Sequence, residues 1–209
     1  SWPYGLILLP AMGNWPYALM IIGGLWLIIW QSAIRLWGLF LAIFAATVSL
    51  FSRAPDLLIT GDGRHLALID DGKPAILRPR SGAFVRSLIS EGAGFDGTIP
   101  SLEETGHARC SPDSCWVLLN RAGRQWQIFV LRSDLLIDKI PMTAACARAD
   151  IVLAPRNLPQ WCQPRWLRLD RAVLARSGGL SIHLNHGPMI TNVAEQIGDH
   201  PWRFSWPLE

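Results

Sequence analysis

Between Tyr17 and Ser52 the chain is almost continuously apolar, and Arg35 is the only formally charged residue in that stretch. No acidic residue occurs before Asp56. A helix that faces water along one side needs polar groups on that side, so this stretch does not read as part of a soluble domain. Ser32, Ala33, Ile34 and Arg35 break it into two blocks, Tyr17 to Gln31 and Leu36 to Ser52. Each block falls short of the roughly 20 residues that span a bilayer, but the flanking aromatics bring both close to that length. Trp15, Tyr17, Trp30 and Trp37 stand at the block ends, where interfacial aromatics belong. The pattern predicts a transmembrane α-helical hairpin, with helices at about 17–31 and 36–52, in a membrane segment covering residues 1–53. A secretory signal would need a basic segment and a single apolar core, and neither condition is met. Leu6 to Leu9, broken off by Pro10, Gly13 and Pro16, reads as the tail of an earlier membrane segment or a re-entrant piece. On that reading more of the same polypeptide lies upstream of Ser1.

Charge divides the 209 residues sharply. All 16 acidic and 18 of the 19 basic residues lie from Arg53 onward, so residues 54–209 form a nearly neutral soluble domain with room for its own core. Net charge alone therefore predicts no nucleic-acid surface. Arg35 between the helices and Arg53 after them leave the positive-inside count balanced. The four cysteines, all in the soluble part, favour an oxidising compartment and hence a periplasmic domain. Four cysteines allow three pairings. Cys110–Cys115 and Cys146–Cys162 are the favoured ones, the first closing a turn and the second stapling a loop. The spacings are too loose for a zinc knuckle.

Ala54-Pro55-Asp56 ends the membrane portion. Strands are expected at 57–60, 66–69 and 75–77, the last two flanking the Asp70-Asp71-Gly72-Lys73 turn. Ser81 is placed to cap a helix to Glu91, with Phe84, Val85, Leu88 and Ile89 on one face. After a loop from Gly92 to Gly106, a hairpin pairs 115–120 with 125–131. A helix follows at 142–148, then strands at 151–154 and 166–169. Asp170 caps a helix to Arg176 that stops at Gly178-Gly179, and strands at 180–184 and 189–193 close the domain. Helices between strands in this order predict an α/β or α+β sandwich.

Chemistry-bearing groups are scattered. Asp62, His65, His107, His183 and His186 are the ingredients of a metal site, yet each has a simpler place in a turn or strand. No nucleophile stands in a recognisable setting, Gly61-Asp62-Gly63 lacks the rest of a phosphate-cradling loop, and no cofactor is implied. Trp161, Arg165, Trp166, Arg168 and Arg171 interleave rings with guanidinium groups within eleven residues. Such a run can stack bases and hold the phosphates of a single strand. Alternatively, Trp166 packs in the core and the arginines solvate the face of the following helix.

The junction Arg53-Ala54-Pro55-Asp56-Leu57-Leu58-Ile59-Thr60-Gly61-Asp62-Gly63-Arg64-His65-Leu66-Ala67 resembles that of ComEC-type competence proteins, polytopic inner-membrane channels for transforming DNA. Cys146 to Arg156, then Cys162 and Leu169-Asp170-Arg171, and the closing Gly198-Asp199-His200-Pro201-Trp202, are similar to that family's C-terminal domain. The resemblance implies the closing helices of a multi-pass channel in the bacterial inner membrane. It also implies single-stranded DNA, the bilayer and other competence-machinery proteins as partners. The soluble domain would be a truncated metallo-β-lactamase-like sandwich. The chain departs from the active members: it has no His-x-His-x-Asp-His cluster, and Pro155-Arg156-Asn157 stands where they carry a Pro-His-His-Gly-Ser-like turn. The expectation is a degenerate, non-catalytic domain with no catalytic or metal-binding residue. Two alternatives remain: a metal-dependent nuclease using Asp62, His65 and His183 on the non-transported strand, and a disulfide-stapled, membrane-tethered interaction module.

Overall fold

A computed structural model describes residues 13–50, 53–78, 81–133, 137–185 and 187–198. It divides into two compact units. One comprises Ser1–Ala54, Asp71–Lys73 and Ala83–Thr98, and the other Pro55–Asp70, Pro74–Gly82 and Ile99–Glu209. Residues 6–9, the end of the second predicted helix at 51–52, His186 and residues 199–202, on which part of the sequence reading rests, lie outside the described residues.

In the first unit, α1 (Asn14–Ile29) and α2 (Leu36–Leu50) form a hairpin through a 3-10 turn at Ala33–Arg35. Helix α1 stops at Ile29, short of Gln31, because the backbone at Trp30 is extended. The Trp26 indole N–H then donates to the Ile34 carbonyl at 3.1 Å, which ties the turn to α1. The continuous helical stretch Ala33–Leu50, with mean hydropathy 1.9, is long and apolar enough to cross a membrane; α1 is apolar but shorter.

Glycine brings the helices together. A Cβ on Gly23 would meet the Gly38 carbonyl oxygen at 2.7 Å, and one on Gly38 would meet that of Gly23 at 2.6 Å. Gly23, Gly38, Ala45 and Ser49 are buried, while Ile28, Phe40, Ile43 and Phe44 face outward. Small residues at a helix interface let two backbones approach, which is how packing is gained where solvent supplies no hydrophobic drive. Gly23 packs on Gly38, and Gly24 faces open space. The Thr47 and Ser49 hydroxyls donate to the carbonyls of Ile43 and Ala45, both at 2.8 Å, so neither needs water.

Helix α3 (Ala83–Ala93) also belongs to this unit. Its buried residues are Ile89 and Ala93, while Phe84 and Leu88 are exposed. The predicted four-residue face thus splits into two stripes, because positions four apart stack and 85, 89 and 93 form a different row from 84 and 88. Ser81 does not cap the helix: it precedes the first helical residue by two, and its buried hydroxyl has no partner.

The second unit is built on β1 (Leu57–Ile59), β2 (Leu66–Asp70), β3 (Lys73–Ile76), β4 (Ala108–Cys110), β5 (Ser114–Arg121), β6 (Arg124–Leu131), α4 (Lys139–Arg148), β7 (Ile151–Leu153), β8 (Leu167–Leu169), α5 (Arg171–Ser177), β9 (Leu180–His183), β10 (Met189–Asn192) and α6 (Val193–Ile197). One five-stranded sheet runs β10-β9-β1-β2-β3, and the other runs β4-β5-β6-β7-β8. In the second, β4 to β6 are antiparallel and β6 to β8 parallel; α4 supplies the crossover that a parallel β6–β7 pair requires. This is an α/β domain with two sheets.

Strand periodicity sets the layers. Cys115, Val117 and Leu119 of β5, with Trp126, Ile128 and Val130 of β6, share a core with Leu57, Leu66, Leu68 and Ile182 of the first sheet. The alternate side chains Phe129 and Leu131, with Val152, pack beneath Met142 and Cys146 of α4. Strand β7 is buried on both faces, which is why it reads as an unbroken apolar run. Both expected disulfides are present. Cys110–Cys115 joins two residues directly opposite on β4 and β5, and Cys146–Cys162 ties α4 to the loop after β7. Two elements differ from expectation. Strand β4 emerges after the Gly92–Gly106 loop, and Val193 opens α6 because the Asn192 side chain accepts from the Glu195 N–H as a helix cap.

Candidate functional site

Helix α4 covers only part of the second sheet's outer face. The remainder is a groove of about 390 Å³, walled by Arg109, Trp116, Leu118, Gln125, Gln127, Arg148 and the His107 segment. Register explains the grouping. Arg109 on β4 lies opposite Trp116 on β5, Trp116 opposite Phe129 on β6, and Leu118 opposite Gln127. Opposed residues project to the same face, so a cation, a ring and an amide are presented side by side. The Trp116 ring rests on Phe129, with centroids 4.9 Å apart. The Arg148 guanidinium, from the last turn of α4, lies over the same ring at 5.3 Å. No carboxylate lines the groove, and neither Arg109 nor Arg148 has an ion-pair partner among the described residues.

Behind this groove runs a chain of charge that clamps the two sheets. Asp56, buried just before β1, accepts from Arg121 Nε at 2.7 Å and from the Leu184 N–H at 2.6 Å. Arg121 Nη2 reaches Asp70 Oδ1 at 2.7 Å and the Ile69 carbonyl at 3.0 Å, and Asp70 Oδ2 meets His107 Nε2 at 3.1 Å. Burial alone would loosen the Arg121 proton, but its hydrogen bonds to Asp56 and Asp70 and their charges outweigh that, and its pKa is raised. The other buried carboxylates are also satisfied. Asp150 accepts from Arg124 at 2.8 Å and the Gln127 N–H at 2.9 Å, and Asp170 caps α5 by accepting from the Val173 N–H at 3.0 Å.

The predicted nucleic-acid run is dispersed by the fold. Trp166 packs against the inter-sheet core, 5.2 Å from Trp126, whereas Trp161 packs against the cluster under α4. Arg168 is paired with Asp170 at 3.0 Å, and Arg165 and Arg171 are exposed. Trp166 packs against the core, as the alternative had it, and Trp161 packs as well.

The predicted metal ligands do not converge either. Asp62 accepts from the Thr60 hydroxyl and, at 3.0 Å, from the Arg64 N–H, so it holds its own turn. Burial pushes its pKa up, but those hydrogen bonds and the charges of His65 and Arg64 outweigh that and leave it lowered. His65 sits beside Thr60 and His183 beyond Ile182, which pairs with Leu57, so they flank opposite ends of β1. Four residue steps, from Asp56 to Thr60, separate the positions opposite them, roughly 13 Å. Among the described residues, Glu103, Cys110 and Cys115 bring three candidate ligand atoms together, but the two sulfurs are joined in a disulfide and offer no thiolate.

Sequence reasoning missed Arg109, Trp116 and Arg148. The outward phase of Trp116 on β5 was readable, but Arg109 sits on an unexpected strand and Arg148 arrives only through the crossover of α4. Compared with models of protein families, with curated proteins and with solved structures, the chain matches none.

Proposed function

We propose that this chain is part of a ComEC-type, multi-pass inner-membrane channel for uptake of transforming single-stranded DNA. Its C-terminal domain is read as a degenerate, non-catalytic relative of the metallo-β-lactamase fold, on the periplasmic side. The observation that carries the reading is the closed apolar hairpin joined to a disulfide-stapled two-sheet domain. The hairpin exposes Phe40, Ile43 and Phe44 around its perimeter, which leaves lipid or further membrane helices as the neighbours it can accept. Two disulfides favour an oxidising compartment for the domain. Face-to-face sheets with α4 on one outer face are compatible with a reduced sandwich of that fold, and the separation of His65 from His183 supports a non-catalytic role. Natural transformation by cells whose gene lacks codons 54–209 tests the proposal. A severe loss of DNA uptake is expected, and uptake at the unmodified level would overturn it.

A further inference from the structure

We propose that the open half of the second sheet's outer face is a binding groove for single-stranded nucleic acid, an assignment that rests on the DNA-uptake reading and gives it a site. The chemistry comes from groups the fold brings together from three strands and a helix. The Arg148 guanidinium lies over Trp116, 5.3 Å from the ring centroid, and this contact narrows its freedom before a ligand arrives. Less freedom is then lost on binding. A guanidinium stacked on a ring offers N–H donors at its edge for phosphate and a planar face on which a base can stack. Arg109, exposed and without an ion pair among the described residues, supplies a second cation opposite Trp116 in the sheet.

Trp116 lies between the cations, and the rest of the lining includes Leu118, 39 % exposed, with Gln125 and Gln127. Amides donate and accept, as base edges do, and an apolar surface suits a base more than a carboxylate chain. The absence of acidic groups from the lining distinguishes this face from the clamp, where every arginine contact is already met by Asp56 or Asp70 or by the Ile69 and Asn120 carbonyls. An open sheet that carries rings and guanidinium groups also suits single strands more than duplexes, because only unpaired bases are free to stack.

The test uses the full chain in nanodiscs of neutral lipid and a fluorescein-labelled oligothymidylate, with anisotropy read across a salt series. Trp116→Ala is expected to weaken binding about tenfold or more. Arg109→Gln and Arg148→Gln are each expected to lower the slope of log affinity against log salt by about 0.7. Trp116 packs on Phe129, so its variant can disturb the fold; Arg109 is exposed, and its variant gives the answer without that complication. Unchanged binding by Arg109→Gln and Arg148→Gln would overturn the groove. So would equal competition by polyglutamate, which would mark a general polyanion surface. Binding that depends on Arg165 and Arg171 instead would overturn the groove and leave the DNA-uptake reading standing. Groove variants that lose the oligonucleotide yet transform normally would keep the groove and remove the uptake reading.

Discussion

The helical hairpin and the two-sheet domain place their large apolar side chains in opposite ways. The hairpin buries Gly23, Gly38, Ala45 and Ser49 and turns Ile28, Phe40 and Phe44 outward. The domain buries Leu57, Leu68, Ile128 and Leu153 and keeps most of its arginines at the surface. The difference follows from what each part can gain by packing. In water the domain gains from withdrawing apolar surface, at about 25 cal/mol per Å², and large side chains give the most area. In lipid that gain vanishes, and helices there gain by bringing backbones close, which only small residues such as Gly23 and Gly38 allow. The domain is stapled covalently by two disulfides and by charge through the Asp56–Arg121–Asp70 clamp.

The largest expected effect lies at the glycine contact. Gly38→Leu should prevent closure of the hairpin, because a Cβ already meets the Gly23 carbonyl at 2.6 Å and the Leu27 backbone N at 3.1 Å. Gly24→Leu should leave it closed, since nothing lies within 4 Å of a Cβ there. Spin labels at Leu25→Cys and Phe40→Cys would read the separation in micelles. If both leucine variants gave the unmodified distance, close approach of glycines would not be what holds the hairpin.

Next in size come the disulfides. Cys146–Cys162 spans 16 residues and Cys110–Cys115 spans 5. Loop-closure entropy gives stabilisations of about 3 and about 2 kcal/mol respectively. Double alanine variants of each pair, unfolded in guanidinium and followed by the ellipticity of the sheets, should lose stability in that order. A reversed order would show that local packing, not loop closure, sets the contribution.

The smallest effect should come with acid. Carboxylates occur only from Asp56 onward, so the helical hairpin has none to titrate. The lowered pKa of Asp62 means its ionised form favours the folded state. That contribution is complete above the ordinary aspartate range, near pH 3.9, and fades as pH falls through the lowered value. Asp62→Asn should remove this part of the acid sensitivity while leaving stability at low pH almost unchanged. Parallel acid curves for the two proteins would sink the assignment.

Much of this architecture is legible in the chain because the forces involved are local. The apolar blocks around Arg35 are visible as composition. Strands β5 and β6 are visible as alternation, and the start of α5 as a capping aspartate at Asp170. Cysteine spacing favoured the Cys110–Cys115 pair among three possible pairings, and its partners face each other across a short hairpin. Less legible was the start of α6, where Asn192 competes with strand propensity at Val193. Strand β4 was also hidden, since its three residues form a strand only by pairing with β5.

The apolar run from Tyr17 to Ser52 by itself determined two apolar helices around Arg35, and charge placement determined where the polar domain starts. Tertiary structure decided the partner of Gly23, because two residues fifteen positions apart meet only once the turn at Ala33–Arg35 reverses the chain. It also decided which rings are free. Trp166 looked like part of a binding run, yet the sheet turns it into the core, while the α4 crossover brings Arg148 over Trp116 from 32 residues away. Periodicity is a property of neighbours along the chain; a binding face is a property of neighbours across strands, and register alone sets those.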